Sequence, residues 1–185
     1  MARILILLVL WQSTIGHAEP SRMETNAAHI ALLALPDRRQ SETALVIARG
    51  TGRLLRSLGF ACLSELSLPS GRRADLVAVN ARGEIWIVEI KSSAEDLCTD
   101  RKWQDYREHC DRLFFAFTRD LPCDIFPGDT GLIVADAYGA HLHCEAPEHR
   151  LSAPTRKAMM LRFGMAAAQR LNRLADPQGH ADGEF

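Results

Sequence analysis

The sequence reads as one mixed α/β domain, a sheet flanked by helices. Three observations lead there. Segments with a helical apolar period alternate with short β-branched runs, in the order αβββα and then further strands and a helix. The central runs are apolar on both faces, as in strands covered on both sides. Finally, 185 residues, 47% hydrophobic and 24% charged, suffice for one sizeable core and are ordinary for a globular chain. This composition excludes a wholly disordered chain, a collagen-like repeat and a polytopic membrane protein. With 22 basic against 23 acidic residues the net charge is -1, so any nucleic-acid surface has to be a local patch.

Residues 1–40 form an N-terminal extension. Arg3 precedes an apolar run from Ile4 to Trp11, and Gly16-His17-Ala18 follows. That order has the form of a secretory leader, and the run is too short to span a bilayer. Met23 is an alternative start. Residues 19–40 read as linker with a short helix around Ala27–Leu35. Against export, the five cysteines show no CxxC spacing, and an odd number cannot all pair within one chain. They read as small core residues of a reducing compartment.

Ser41 to Leu58 reads as a helix, capped by Ser41 and ended by Gly59. Ala44, Ile47, Ala48, Leu54, Leu55 and Leu58 fall on one side, and Glu42, Arg49, Arg53 and Arg56 on the other. The charged side is either a solvated face or a surface for phosphates. Phe60–Leu66, Arg73–Val79 and Glu84–Lys91 read as strands, and Asp100–His109 as a helix. Leu113–Thr118, Gly131–Asp136 and Ala140–Cys144 read as further strands. Pro154 to about Ala175 is a second long helix with proline in its first turn, and 177–185 is a disordered tail.

The chemistry is set into the central hairpin. Asp75, Glu89 and Lys91 interrupt runs that are otherwise apolar on both faces, where ionised groups need a partner, a metal or a strand end. Glu89 and Lys91 are two apart and share a face. A loop of Ala81-Arg82-Gly83, a type I turn with Gly83 left-handed in a bulge, pairs Asn80 with Glu84 and therefore Asp75 with Glu89. Directly opposed residues share a face about 5 Å apart. Two carboxylates that close repel unless a cation lies between them, and hard oxygens suit Mg²⁺ or Mn²⁺. Such an ion acidifies water and stabilises phosphoryl charge, and Lys91 is placed to orient water or stabilise developing negative charge. The alternative is a carboxylate–lysine ion pair at a strand end.

Asp75 followed by Glu89-Ile90-Lys91 on the next strand resembles the signature of the PD-(D/E)xK nuclease superfamily. The longer stretches Leu54–Phe60, Glu65–Asp75, Glu84–Ser93, Asp100–Trp103, Leu132–Ala140 and Glu145–Leu151 resemble bacterial MmcB-type DNA-repair proteins, over about 41–176. The resemblance implies a restriction-endonuclease-like αβββαβ core with a long C-terminal helix. It also implies metal-dependent cleavage of DNA, with Asp75 and Glu89 as metal-binding acids, Lys91 as catalytic lysine and Glu42 as a first-helix acid. Ala74 stands where the superfamily motif has proline. Residues 1–22 lie outside the resemblance, in keeping with a misplaced start.

Arg49, Arg53, Arg73, Lys102 and Gln104 are the candidate DNA contacts, with Tyr106 beside the last two on a helix that often completes such sites. Asp100 at that helix's start also complements its dipole. Arg150, Arg156, Lys157, Arg162, Arg170 and Arg173 run without an acid, so the last helix either grips phosphates or packs Leu161, Met165, Ala168 and Leu171 into the core. Those apolar residues are otherwise a dimer or partner surface. His141-x-His143 before Cys144 is a poor zinc site, with no second ligand cluster. Cys110 reads as packing rather than a nucleophile, and Gly50-Thr51-Gly52 lacks the context of a nucleotide loop. The expectation is a cytoplasmic, Mg²⁺- or Mn²⁺-dependent DNA nuclease of repair. Its partners are DNA, other repair proteins or a second copy as a homodimer, and no membrane. The alternatives are a catalytically silent module that binds DNA or a repair partner, and an exported protein.

Overall fold

The structure, a computed structural model, describes residues 41–100 and 103–176. The expectations for residues 1–40, for Lys102 and for the tail 177–185 lie outside the described residues.

Helix α1, Glu42–Ser57, opens on Ser41, whose hydroxyl accepts the Ala44 N–H at 3.1 Å. It closes at Gly59, φ +83°, a left-handed turn that glycine adopts without strain. Three antiparallel strands follow: β1 (Phe60–Ser67), β2 (Arg73–Asn80) and β3 (Ile85–Ile90). Strand β4 (Arg112–Phe117) runs parallel to β3, β5 (Gly131–Ala135) parallel to β4, and β6 (Ala140–Cys144) antiparallel to β5. The six strands lie in the order β1-β2-β3-β4-β5-β6. Helix α3, Ala153–Ala175, ends the described chain. The expected mixed sheet between helices, with a long C-terminal helix, is therefore present.

Alternation assigns the faces. Leu76, Ala78, Trp86, Val88, Phe114, Ala116 and Ile133 pack under Ile47 and Leu55 of α1. Phe60, Trp86 and Phe114 continue this layer, with ring centroids 4.4 and 4.6 Å apart. On the other face, Val77, Val79, Ile85, Ile87 and Leu113 meet Tyr106, Cys110 and Met159. Every residue of β3 is buried, so its continuous apolar run reflects cover on both faces.

Three expectations are corrected. Leu58 is 47% exposed rather than packed, because it caps the helix and Gly59 turns the chain away. Gly50 and Thr51 are buried in the α1 interface instead. A Cβ on Gly50 would sit 2.4 Å from the Gly139 carbonyl oxygen, so that glycine serves the close approach of α1 to the β5–β6 turn. The helix expected over 100–109 is a 3₁₀ helix instead, and an α-helix that was not expected precedes it. A short helix α2, Ala94–Thr99, starts on Ser93, whose hydroxyl accepts the Asp96 N–H at 3.1 Å, and ends at Asp100. A tighter 3₁₀ helix, Trp103–His109, follows. On α3 the core-facing residues are Met159, Phe163 and Ala166, whereas Leu161, Met165 and Leu171 face solvent.

Candidate active site

The β2–β3 turn sets the register of the site. Gly83, φ +74°, donates its N–H to the Asn80 carbonyl at 2.9 Å, and Asn80 N–H donates to the Glu84 carbonyl at 3.2 Å. The Asn80 side-chain oxygen also accepts the N–H groups of Arg82 and Glu84. Pairing runs from Val79 opposite Ile85 to Leu76 opposite Val88, which sets Asp75 against Glu89. Beyond Leu76 the two carboxylates take up main-chain donors themselves. Glu89 Oε1 accepts the Asp75 N–H at 3.2 Å, and Asp75 Oδ2 accepts the Ile90 N–H at 2.8 Å. Each carboxylate thus spends one oxygen on a main-chain donor.

These side chains enter a cleft of about 470 Å³ at the ends of β2 and β3. Ser41 and Ala44 close it from the start of α1, Arg73 from β2, and Asp96 and Asp100 from α2 and its end. Lys91, 4% exposed, donates from Nζ to Asp100 Oδ2 at 2.6 Å. Its main-chain N–H joins the Ala116 carbonyl of β4 at 2.9 Å, which holds the strand end in place. Tyr106, from the 3₁₀ helix, covers the floor and donates its hydroxyl to the Arg73 carbonyl at 3.3 Å.

Burial pushes the Asp75 carboxyl above its ordinary range; the Ile90 N–H and the Lys91 charge pull it back, and the Asp96 charge raises it. Burial likewise carries Glu89 well above its usual value, with the Asp75 charge adding to it and the Asp75 N–H and Lys91 opposing. Burial also raises the Tyr106 phenol, helped by the charges of Glu89, Asp75 and Asp100. Two adjacent carboxyls, one buried and one half-buried, that resist ionisation are a place where a hard cation is favoured. Mg²⁺ is commonly held by one or two carboxylates with water completing its shell, so the donor set fits. Among the described residues no group of three or more His, Cys, Asp or Glu side chains is arranged around a common point. The remaining ligands would therefore be water or substrate oxygens.

The fold thus brings together Asp75, Glu89, Lys91 and Arg73, and of the helix candidates it adds Tyr106. Glu42 is exposed on the first turn of α1 and does not line the cleft, although its neighbour Ser41 does. Gln104 is exposed on the 3₁₀ helix and is also outside the lining. Arg49 is exposed on α1. Arg53 is occupied by structure: its guanidinium donates to the Ala137 and Tyr138 carbonyls at 2.7 and 2.9 Å, tying α1 to the β5–β6 turn. Asp96 and Asp100 were not legible as site residues. The spacing Ser93-x-x-Asp96 signals a helix start, but nothing local says that the helix ends beside Lys91. Cys110 packs as expected, its thiol pushed up to about 12 by burial, and His141 and His143 lie on the outer strand β6 with no group of three or more such ligands around them among the described residues.

No curated protein matches the chain. A solved structure described as a protein of unknown function from Silicibacter pomeroyi is similar at 40% identity and a TM-score of 0.75, over 78% of this chain and 99% of that one. The family model of DNA repair proteins described as MmcB-like matches residues 32–178. That span contains α1, the whole sheet, the cleft and α3, so the chain belongs to the MmcB-like family of DNA-repair proteins.

Proposed function

We propose that the protein is a metal-dependent DNA nuclease whose cleft hydrolyses phosphodiester bonds. One observation carries this reading: Asp75, half-buried, and Glu89, buried, stand opposed on one face and resist ionisation, with Lys91 two residues on. Mg²⁺ or Mn²⁺ held by these acids supplies Lewis acidity toward a phosphoryl oxygen and an acidified water. The residues of the chain do the rest. Asp75 and Glu89, each anchored by a main-chain N–H, present oxygens in a fixed direction. Lys91, held by Asp100, brings a positive charge to where negative charge develops. Arg73 at the rim offers a phosphate contact next to the acids.

The test is cleavage by the full chain of linear, nicked, flapped and branched DNA, with Mg²⁺, Mn²⁺ or chelator. The expected result is metal-dependent cleavage that falls by about 100-fold or more in Lys91→Ala and in Asp75→Asn, both checked for folding. One observation favours a second reading, a silent module that binds DNA or a repair partner: the Lys91 ammonium is already held by a carboxylate at 2.6 Å. DNA binding by well-folded protein with no cleavage in either metal would select it.

A further inference from the structure

Helix α3 is longer than its packing requires. Of its 23 residues only Met159 is fully buried, with Phe163 and Ala166 half-buried beside it. At about 100° per residue, Leu161, Met165, Ala168 and Leu171 fall on the side away from Met159. There Leu161 is 61% exposed, Met165 60% and Leu171 61%. Scattered exposed apolar residues are ordinary, but a contiguous helical stripe marks a contact surface. A groove of about 520 Å³ runs beside the stripe, between α3 and the end of β1, with Leu66, Leu161 and Met165 among its walls.

Along α3 itself the charge has one sign, and the acid of the groove wall, Glu65 of β1, is paired with Arg73 at 3.8 Å. No acid occurs from Arg150 to Ala175. Lys157 and Arg173 make no ion pair among the described residues, and Arg162 donates to the neutral carbonyl of Ser67 at 3.2 Å. A second copy is disfavoured, because two α3 helices packed face to face bring together cations with no acid from either helix to pair them. A phosphate backbone would satisfy the cations and leave the leucines uncovered. A flat bilayer would cover the leucines and leave the groove empty. An acidic amphipathic helix satisfies all three features.

We propose that the outward face of α3, with its groove against β1, docks an amphipathic helix of a partner protein whose apolar side chains are flanked by aspartate or glutamate. Its apolar face lies along Leu161, Met165 and Leu171, and its acids meet Lys157, Arg162 and Arg173. This inference goes beyond the nuclease reading and does not rest on it.

The test is fluorescence anisotropy with the full chain and a labelled synthetic helical peptide carrying leucine at positions a and d and glutamate beside them. The expected result is saturable binding, weaker by about tenfold or more when lysine replaces glutamate in the peptide. Leu161→Ser with Met165→Ser weakens it by a similar factor, and Lys157→Glu with Arg173→Glu reverses the preference toward the lysine peptide. Circular dichroism checks that both pairs fold, and the charge-swapped pair tests the surface independently of the serine pair. No binding of the acidic peptide, or equal affinity for both peptides, overturns the proposal. So does a dimer, a duplex-DNA complex or adhesion to phosphatidylglycerol vesicles that the serine pair abolishes. The readout is binding, so an inactive cleft leaves this test unaffected.

Discussion

Asp75 and Glu89 each accept a main-chain N–H, and burial still holds both carboxyls above their usual range. A carboxyl raised in the folded state keeps a proton that the unfolded chain has already released. Folding stability therefore falls as pH rises from the ordinary values of 3.8 and 4.5 through the raised folded ones. Asp75→Asn and Glu89→Gln keep the accepting oxygen and remove the charge. In chelator at pH 7, thermal unfolding should show each variant melting about 2–4 °C above the wild type. Adding Mg²⁺ or Mn²⁺ should raise the wild type and leave the variants unmoved. An unchanged wild type would count against these acids as cation ligands. His109 works in another window. It is buried, with no partner on either ring nitrogen among the described residues, and burial lowers its pKa below 6.5. The unfolded chain then takes up the proton first, so stability is lost as pH falls below about 6.5. His109→Phe should flatten the melting profile between about pH 7 and pH 5.5. An identical slope in the variant would assign the pH dependence to other groups.

At the scale of elements, the hairpin is locked at the end opposite the cleft. Asp111, 2% exposed, accepts the N–H groups of Ile85 at 2.8 Å and Leu151 at 3.0 Å. It also receives both ends of the Arg156 guanidinium, at 2.6 and 2.7 Å. Burial alone would raise this carboxyl; Arg156 and the two N–H groups hold it below its usual value. One residue thus joins β3, β4 and the start of α3. Arg156→Leu leaves a buried charge short of its partner and should cost about 3 kcal/mol in urea denaturation. Asp111→Asn combined with Arg156→Leu should recover part of that loss, and additive losses would argue against the coupling. The sequence showed Arg156 only as one of a basic run and gave no sign of its pairing with Asp111, because the contact joins positions 45 residues apart. The β2–β3 turn was legible for the opposite reason. Asn80, Arg82, Gly83 and Glu84 bond to one another within the loop, so residue type and spacing sufficed.

For the whole molecule, the net charge of -1 provides no long-range attraction to a polyanion, so DNA binding depends on the local cations. Binding measured across a salt series should show a steep inverse dependence. Arg73→Ala should weaken every DNA tested and reduce the slope of log K against log salt by about 1. A slope left intact would remove Arg73 from the phosphate contacts. Arg53 illustrates why a charged helical face is a poor guide by itself: its guanidinium holds the β5–β6 turn rather than standing free. Periodicity also misplaced the buried side of α3, because two sides of that helix carry apolar residues and only the position of β1 and the 3₁₀ helix decides which is covered. No helix among the described residues is long and apolar enough to cross a membrane.

By itself the sequence determined the order of the six strands and two long helices, the β2–β3 register and the opposition of Asp75 to Glu89. These depend on side-chain alternation, caps and a short loop, all interactions within a few residues of chain. Only the tertiary structure decided that Asp100 receives Lys91, that Asp96 and Tyr106 border the cleft, that Glu42 and Gln104 do not, and that α3 turns a leucine-lined face outward. Burial and charge pairing are set by whatever packs against a group, and in a mixed sheet with parallel crossovers those neighbours arrive from distant parts of the chain.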